Sequence, residues 1–185
     1  MNNDKATLVF TPLAWTKMWA LVDHFDSEVA WNGLCRRGEA PQTYVVEDIL
    51  VHKQMVTGGT VRSDSAEYDE WLNSFDDETF ERIRLHGHSH YRMQPFASAL
   101  DRELQDDIIS QLCNDMFYVF MIVNRRREMW ARIVDTAVDA EFSGGAVCWT
   151  VQEGDFTYGK FIRQAEDMVT EQPRKEYQHG SGKKL

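Results

Sequence analysis

His88 and His90 stand two residues apart and are followed by Ser98 and Asp101 in the run LHGHSHYRMQPFASALD, residues 85–101. Two imidazoles and a carboxylate make a three-ligand set of borderline hardness, which suits Zn²⁺ and leaves one tetrahedral corner for water. The chemistry such a set supports is hydrolysis. A spacing of two sends both imidazoles from the same face of an extended backbone, so both reach one ion. His86 shares that parity. It is assigned a packing role beside the site, because His88, His90 and Asp101 already complete a catalytic ligand set. Ser98 and Asp101 also read as the N-cap and first-turn acid of a helix. Three residues apart on one helix end, they can aim both oxygens at a common point, so the structural and chemical readings coexist.

A hydrolytic metal site also needs a general base that is not a ligand. The His-Glu-x-x-His arrangement that would supply one is absent. The candidate is Glu28, which opens the apolar stretch Val29, Ala30, Trp31; on composition alone it reads first as a solvent-facing acid after Ser27. A cysteine nucleophile finds no support, since Cys35, Cys113 and Cys148 are widely separated and none is spaced with a histidine. Only His179 follows His90, which leaves a barrel-type His-x-His hydrolase short of ligands, and Arg92 stands where a metallo-β-lactamase-like motif needs Asp.

The elements that must position these residues follow from periodicity. A short strand over 7–10 leads through Thr11 and Pro12, a capping residue and a preset first helical residue, into a helix to about Phe25. Trp15, Met18, Trp19, Val22 and Phe25 form its buried stripe. Residues 29–34 read as a strand, with a turn at 36–39, and the β-branched stretch 44–56 as extended structure before a turn at 57–60. Residues 65–82 read as one acidic helix with a solvated face. A strand over 83–86 delivers the histidines, a helix runs from Ser98 to Cys113, and strands follow at 116–123, 129–134 and 147–151. A helix over about 158–170 closes a domain of residues 1–170, and the polar stretch 171–185 reads as a disordered tail. The pattern predicts an α/β fold, one domain with a mixed β-sheet flanked by helices.

Composition narrows the partners. The 185-residue chain is 43% hydrophobic, which suits one packed core, and its net charge of -10 opposes both phosphate backbones and anionic membrane surfaces. No nucleic acid and no membrane are expected. No 18-residue apolar run occurs and the three cysteines form no framework, so a reducing cytoplasm is the expected compartment.

The order Glu28, His88-Ser89-His90, seven residues, Ser98, two residues, Asp101 resembles the JAMM metalloprotease family, also called MPN+ or JAB. Its His-Ser/Thr-His-x7-Ser-x2-Asp motif is matched without gap or substitution. The segment YVVEDILVHKQMVTGGTV, residues 44–61, looks like the strand pair of the prokaryotic JAB branch, and the resemblance spans about residues 7–150. The chain departs from many relatives in His86-Gly87 before the motif and in having Tyr91 rather than proline after His90.

The resemblance implies a cytidine-deaminase-like architecture with one zinc ion per chain, held by His88, His90 and Asp101. It also implies that Glu28 takes a proton from the zinc-activated water and passes it to the departing amine, while Ser98 hydrogen-bonds the oxyanion. The implied reaction is peptide or isopeptide hydrolysis at the C-terminal tail of a ubiquitin-like or sulfur-carrier-like protein. The family also contains phage or tail-assembly peptidases and non-catalytic scaffolds, which stand as alternatives. By the same analogy, loops around residues 57–78 and 136–147 grip the substrate tail.

Overall fold

Thr11 and Pro12 open the first helix as their types dictate: the Thr11 hydroxyl accepts the Ala14 N–H at 3.1 Å and Pro12 takes the first helical position. In this computed structural model, residues 5–57, 60–152 and 158–171 are described. The first elements are β1 (Ala6–Phe10), α1 (Pro12–His24), β2 (Ala30–Arg37), β3 (Thr43–Leu50), β4 (Gln54–Thr57) and β5 (Thr60–Arg62). Then come α2 (Ser65–Asn73), α3 (Asp77–Arg82), β6 (Ile83–Ser89), α4 (Ala99–Ser110) and β7 (Phe117–Val123). The chain continues through β8 (Met129–Asp135), β9 (Ala140–Ser143), β10 (Val147–Val151), α5 (Tyr158–Met168) and β11 (Val169–Glu171).

Eight strands form one mixed sheet in the order β10-β1-β3-β2-β6-β7-β8-β9, and β11-β4-β5 form a second, small sheet among the described residues. In the large sheet β6 and β7 run parallel while β2 runs antiparallel to β6. The protein is therefore an α/β fold with a mixed sheet and flanking helices. No helix among the described residues is long and apolar enough to cross a membrane.

Strand parity decides which side chains meet the core. On β7 every residue is buried, as expected of a strand covered on both faces. Val119, Met121 and Val123 join the main hydrophobic cluster with Leu85, Trp31 and the α1 side chains Met18, Leu21 and Val22. Burying each large apolar side chain contributes about 1.5–3 kcal/mol. On β6 burial alternates strictly: Ile83, Leu85, Gly87 and Ser89 are buried, whereas Arg84, His86 and His88 turn to the opposite face. Gly87 lets β6 lie against Trp31, because a Cβ at that position would overlap the indole.

The structure differs from the sequence expectation in five places. The stretch 44–56 is two strands in different sheets, since β3 pairs with β1 and β2 while β4 pairs with β5 and β11. The acidic helix breaks into α2 and α3, because Asp76 accepts the Thr79 N–H at 2.7 Å and starts a new helix. β2 runs through Arg36 and Arg37, where a turn is expected, since both pair in register with β3. β9 arises within the expected loop 136–147 by pairing with β8. The closing helix ends at Met168, and Val169–Glu171 forms a strand paired with β4. The expected turn at Gly58-Gly59 and the tail 172–185 lie outside the described residues.

Candidate metal centre

The end of β6 carries the two histidines and hydrogen bonds lock it in place. The Ser89 N–H donates to the Val29 carbonyl at 2.9 Å, the Val29 N–H donates to Ser89 Oγ at 3.0 Å, and the His90 N–H donates to the Val123 carbonyl at 2.8 Å. His90 Nδ1 lies 3.0 Å from the Gln94 carbonyl. A carbonyl can only accept, so Nδ1 carries the proton and Nε2 presents its lone pair.

Asp101 arrives from the first turn of α4. Its Oδ2 accepts the Ser98 N–H at 2.7 Å and its N–H donates to Ser98 Oγ at 3.2 Å, a reciprocal cap that fixes both residues. The donor atoms then converge. His88 Nε2 stands 3.0 Å from His90 Nε2 and 3.2 Å from Asp101 Oδ1, and His90 Nε2 stands 3.6 Å from Asp101 Oδ2. Ligands about 2.0–2.2 Å from a tetrahedral ion lie roughly 3.3 Å from one another, a spacing that His88 Nε2 keeps to both His90 Nε2 and Asp101 Oδ1, while the Asp101 oxygen nearest His90 is Oδ2. The group can hold a metal ion.

Electrostatics favours the same state at His88 and Asp101, whereas at His90 a bound metal has a proton to displace. Burial drives the His88 imidazole down to about 3, which keeps it neutral and able to ligate. Burial would raise the Asp101 carboxyl, but hydrogen bonds from His90 and Ser98 and the nearby His88 hold it well below the usual carboxylate range. Burial lowers His90, yet its hydrogen bonds to Asp101 and Gln94 and the charge of Glu28 leave it raised.

Glu28 lies in the same cavity, of about 920 Å³, as His88, His90, Ser98 and Asp101. Its residue is 5% exposed and its Oε1 has no hydrogen-bond partner. Burial raises its carboxyl to about 7, with His90 opposing and Asp101 adding to the rise. An orphaned buried carboxylate oxygen is costly, by about 1–3 kcal/mol or more, and facing a cation or a water would relieve it. Ser98 is exposed at the cavity wall. Its oxygen accepts the Asp101 N–H, so its own proton remains available to a ligand.

Sequence reasoning names five residues here, and the fold gathers all five around one cavity. It overlooks Gln54, whose buried side-chain amide accepts the Ala30 N–H at 2.8 Å and donates to the Ala30 carbonyl at 2.9 Å. That amide acts as an extra strand residue beside Ala30 and ties down the segment carrying Glu28. His52 is also overlooked. It is buried, its Nε2 lies 2.8 Å from Ser63 Oγ, and its ring packs edge-on to Tyr68. Neither residue has a spacing signal, because each acts across sheets. His86 lines the cavity with its ring 6.2 Å from that of His88, consistent with packing beside the donors.

No protein-family model matches this chain, and no curated protein matches it.

Proposed function

We propose that the protein is a zinc-dependent amide hydrolase of the JAMM type, cleaving a peptide or isopeptide bond at the C-terminal tail of a ubiquitin-like or sulfur-carrier-like protein. On this reading the mixed sheet is the cytidine-deaminase-like scaffold that the motif implies. One observation carries the proposal: three metal-competent donors within 4.8 Å of one another share a cavity with the buried Glu28 carboxylate, whose Oε1 has no hydrogen-bond partner. His88, His90 and Asp101 would hold the zinc ion, which when bound would supply Lewis acidity and a water with a pKa of about 7.

The residues divide the remaining work. Glu28, whose pKa sits near 7 and falls when a positive charge stands beside it, takes a proton from the attacking water. It then delivers that proton to the departing amine. Ser98 donates a hydrogen bond from its free hydroxyl to the developing oxyanion of the substrate. His90 is held in its ligating tautomer by Gln94, and Asp101 is held by the cap of α4.

The test pairs metal content with cleavage. Wild type purified with zinc should carry one equivalent and release the C-terminal extension from at least one member of a panel of ubiquitin-like and sulfur-carrier-like fusions. Glu28→Gln should keep its zinc and lose at least about 10²-fold in rate. Zinc-free wild type under metal-replete conditions would sink the reading, as would cleavage by Glu28→Gln at the wild-type rate.

A further inference from the structure

β6 turns Arg84, His86 and His88 to one face, so the floor of the cavity is a row that begins at the metal donors and ends at a cation. Four residues of strand place the Arg84 backbone about 13 Å from that of His88. The flanking walls are largely apolar, with Asp69 as an acid among them. Leu72 of α2 and Phe80 of α3 line the groove, as do Leu100, Leu104 and Ile108 of α4. The three α4 residues recur every four positions on one helix face, and Leu100 and Leu104 are 70% and 42% exposed. Of the residues of α4, Gln105 is the buried one. The helix therefore presents its apolar stripe to the cavity while burying little of it.

Arg84 is anomalous within this groove. Its side chain is half-buried, yet among the described residues its one hydrogen bond runs to the Ile83 carbonyl at 3.2 Å and it makes no ion pair. Its neighbours differ: Arg82 and Arg36 both pair with Glu47, and Arg37 pairs with Asp135. A half-buried guanidinium with open donors is a recognition group for a carboxylate, which it can grip through two parallel hydrogen bonds.

We propose that Arg84 is a specificity-determining residue that reads an aspartate or glutamate side chain of an extended substrate segment, about four residues from the bond that is cut. The spacing follows from the length of the row, since an extended peptide rises about 3.3 Å per residue. Apolar side chains beside that acid rest on Leu100 and Leu104. The proposal deepens the hydrolase reading by naming the class of sequence its groove accepts.

The experiment uses binding, so that it does not depend on turnover. Dye-labelled octapeptides with an alanine and leucine background carry one Glu, scanned through every position, each matched to a Gln peptide. They are titrated by fluorescence anisotropy against zinc-loaded full-length Glu28→Gln protein, with and without Arg84→Gln or Arg84→Glu. One Glu position should bind about tenfold more tightly than its Gln match, the increment of a charge-assisted hydrogen bond. The preference should weaken with salt, vanish in Arg84→Gln, and give way to a Lys peptide in Arg84→Glu. Unchanged zinc content and thermal midpoint show that these variants fold.

Equal affinity of Glu and Gln peptides at every position would overturn the proposal. So would a preference that depends only on a free rather than amidated C-terminus, or one that survives Arg84→Gln. Peptides that bind as expected, from a wild-type protein that cuts no member of the fusion panel, would leave the Arg84 subsite standing and remove the hydrolase.

Discussion

The Ser98 hydroxyl has two duties that substitution can separate. Alanine removes the acceptor of the Asp101 N–H and the proton offered to the cavity, whereas threonine keeps both groups. Ser98→Ala should cost about 1 kcal/mol of stability by loss of the cap. It should also lower the cleavage rate by about 10²–10³, the usual loss for an oxyanion donor. Ser98→Thr should recover most of both, measured by urea denaturation and by kcat. A Ser98→Ala rate within twofold of wild type would confine the hydroxyl to capping. His52 sets a pH limit on the same cavity. Burial, with His86 adding, pushes its imidazole from 6.5 down to about 4, so between those values the unfolded chain binds a proton that the native protein refuses. The associated stability is whole above pH 6.5 and is lost as pH falls toward 4, on the order of 3 kcal/mol in all. Urea midpoints at pH 7 and pH 4.5 should therefore fall more steeply for wild type than for His52→Gln, and parallel slopes would contradict this.

Among the elements, β6 carries the heaviest constraint because it packs Trp31 on one face and offers His86 and His88 on the other. Gly87→Ala places a methyl group where the Trp31 indole lies. Either β6 or the indole must move, at a cost of about 1–3 kcal/mol, typical of overpacking. A shift of β6 spreads the donors, whose present separations are 3.0, 3.2 and 3.6 Å. Gly87→Ala should thus lower both the thermal midpoint and zinc affinity, read by calorimetry and by competition with a chromophoric chelator. Wild-type zinc affinity in the variant would show that the donors are insulated from the packing beneath them. Glu28 depends on a different junction, where Val29 pairs with Ser89 and the Gln54 amide pairs with Ala30.

At the scale of the whole molecule, an ionic knot around one buried carboxylate joins strands that are far apart in the chain. Asp135 on β8 is 1% exposed, accepts the Tyr44 hydroxyl at 2.6 Å from β3, and is gripped through both oxygens by Arg37 at the end of β2. Burial would raise the Asp135 carboxyl, but its hydrogen bonds from Arg37 and Tyr44 lower it on balance. Asp135→Ala leaves the buried Tyr44 hydroxyl without its acceptor, while the exposed Arg37 guanidinium returns to water, and should cost about 1–3 kcal/mol. The knot shares no residue with the metal centre, so any folded Asp135→Ala protein should keep its zinc stoichiometry. Denaturant melts and metal analysis on the same preparation check both halves.

What the sequence by itself determined was local. The spacing of His88 and His90 set their common face, Ser98 and Asp101 set the helix start that aims the carboxylate, and the apolar runs set most strands and helices. These are short-range effects, fixed by backbone periodicity and capping within a few residues. Tertiary structure decided what depends on pairing across the chain. It brought Glu28 to the donors, though sixty residues separate Val29 from Ser89. It divided residues 44–56 between two sheets and turned 169–171 into a strand on β4. It also left Arg84, among the described residues, without an ion pair in a largely apolar groove. A strand partner or the environment of a buried charge is chosen by which distant surfaces meet, and no local spacing records that choice.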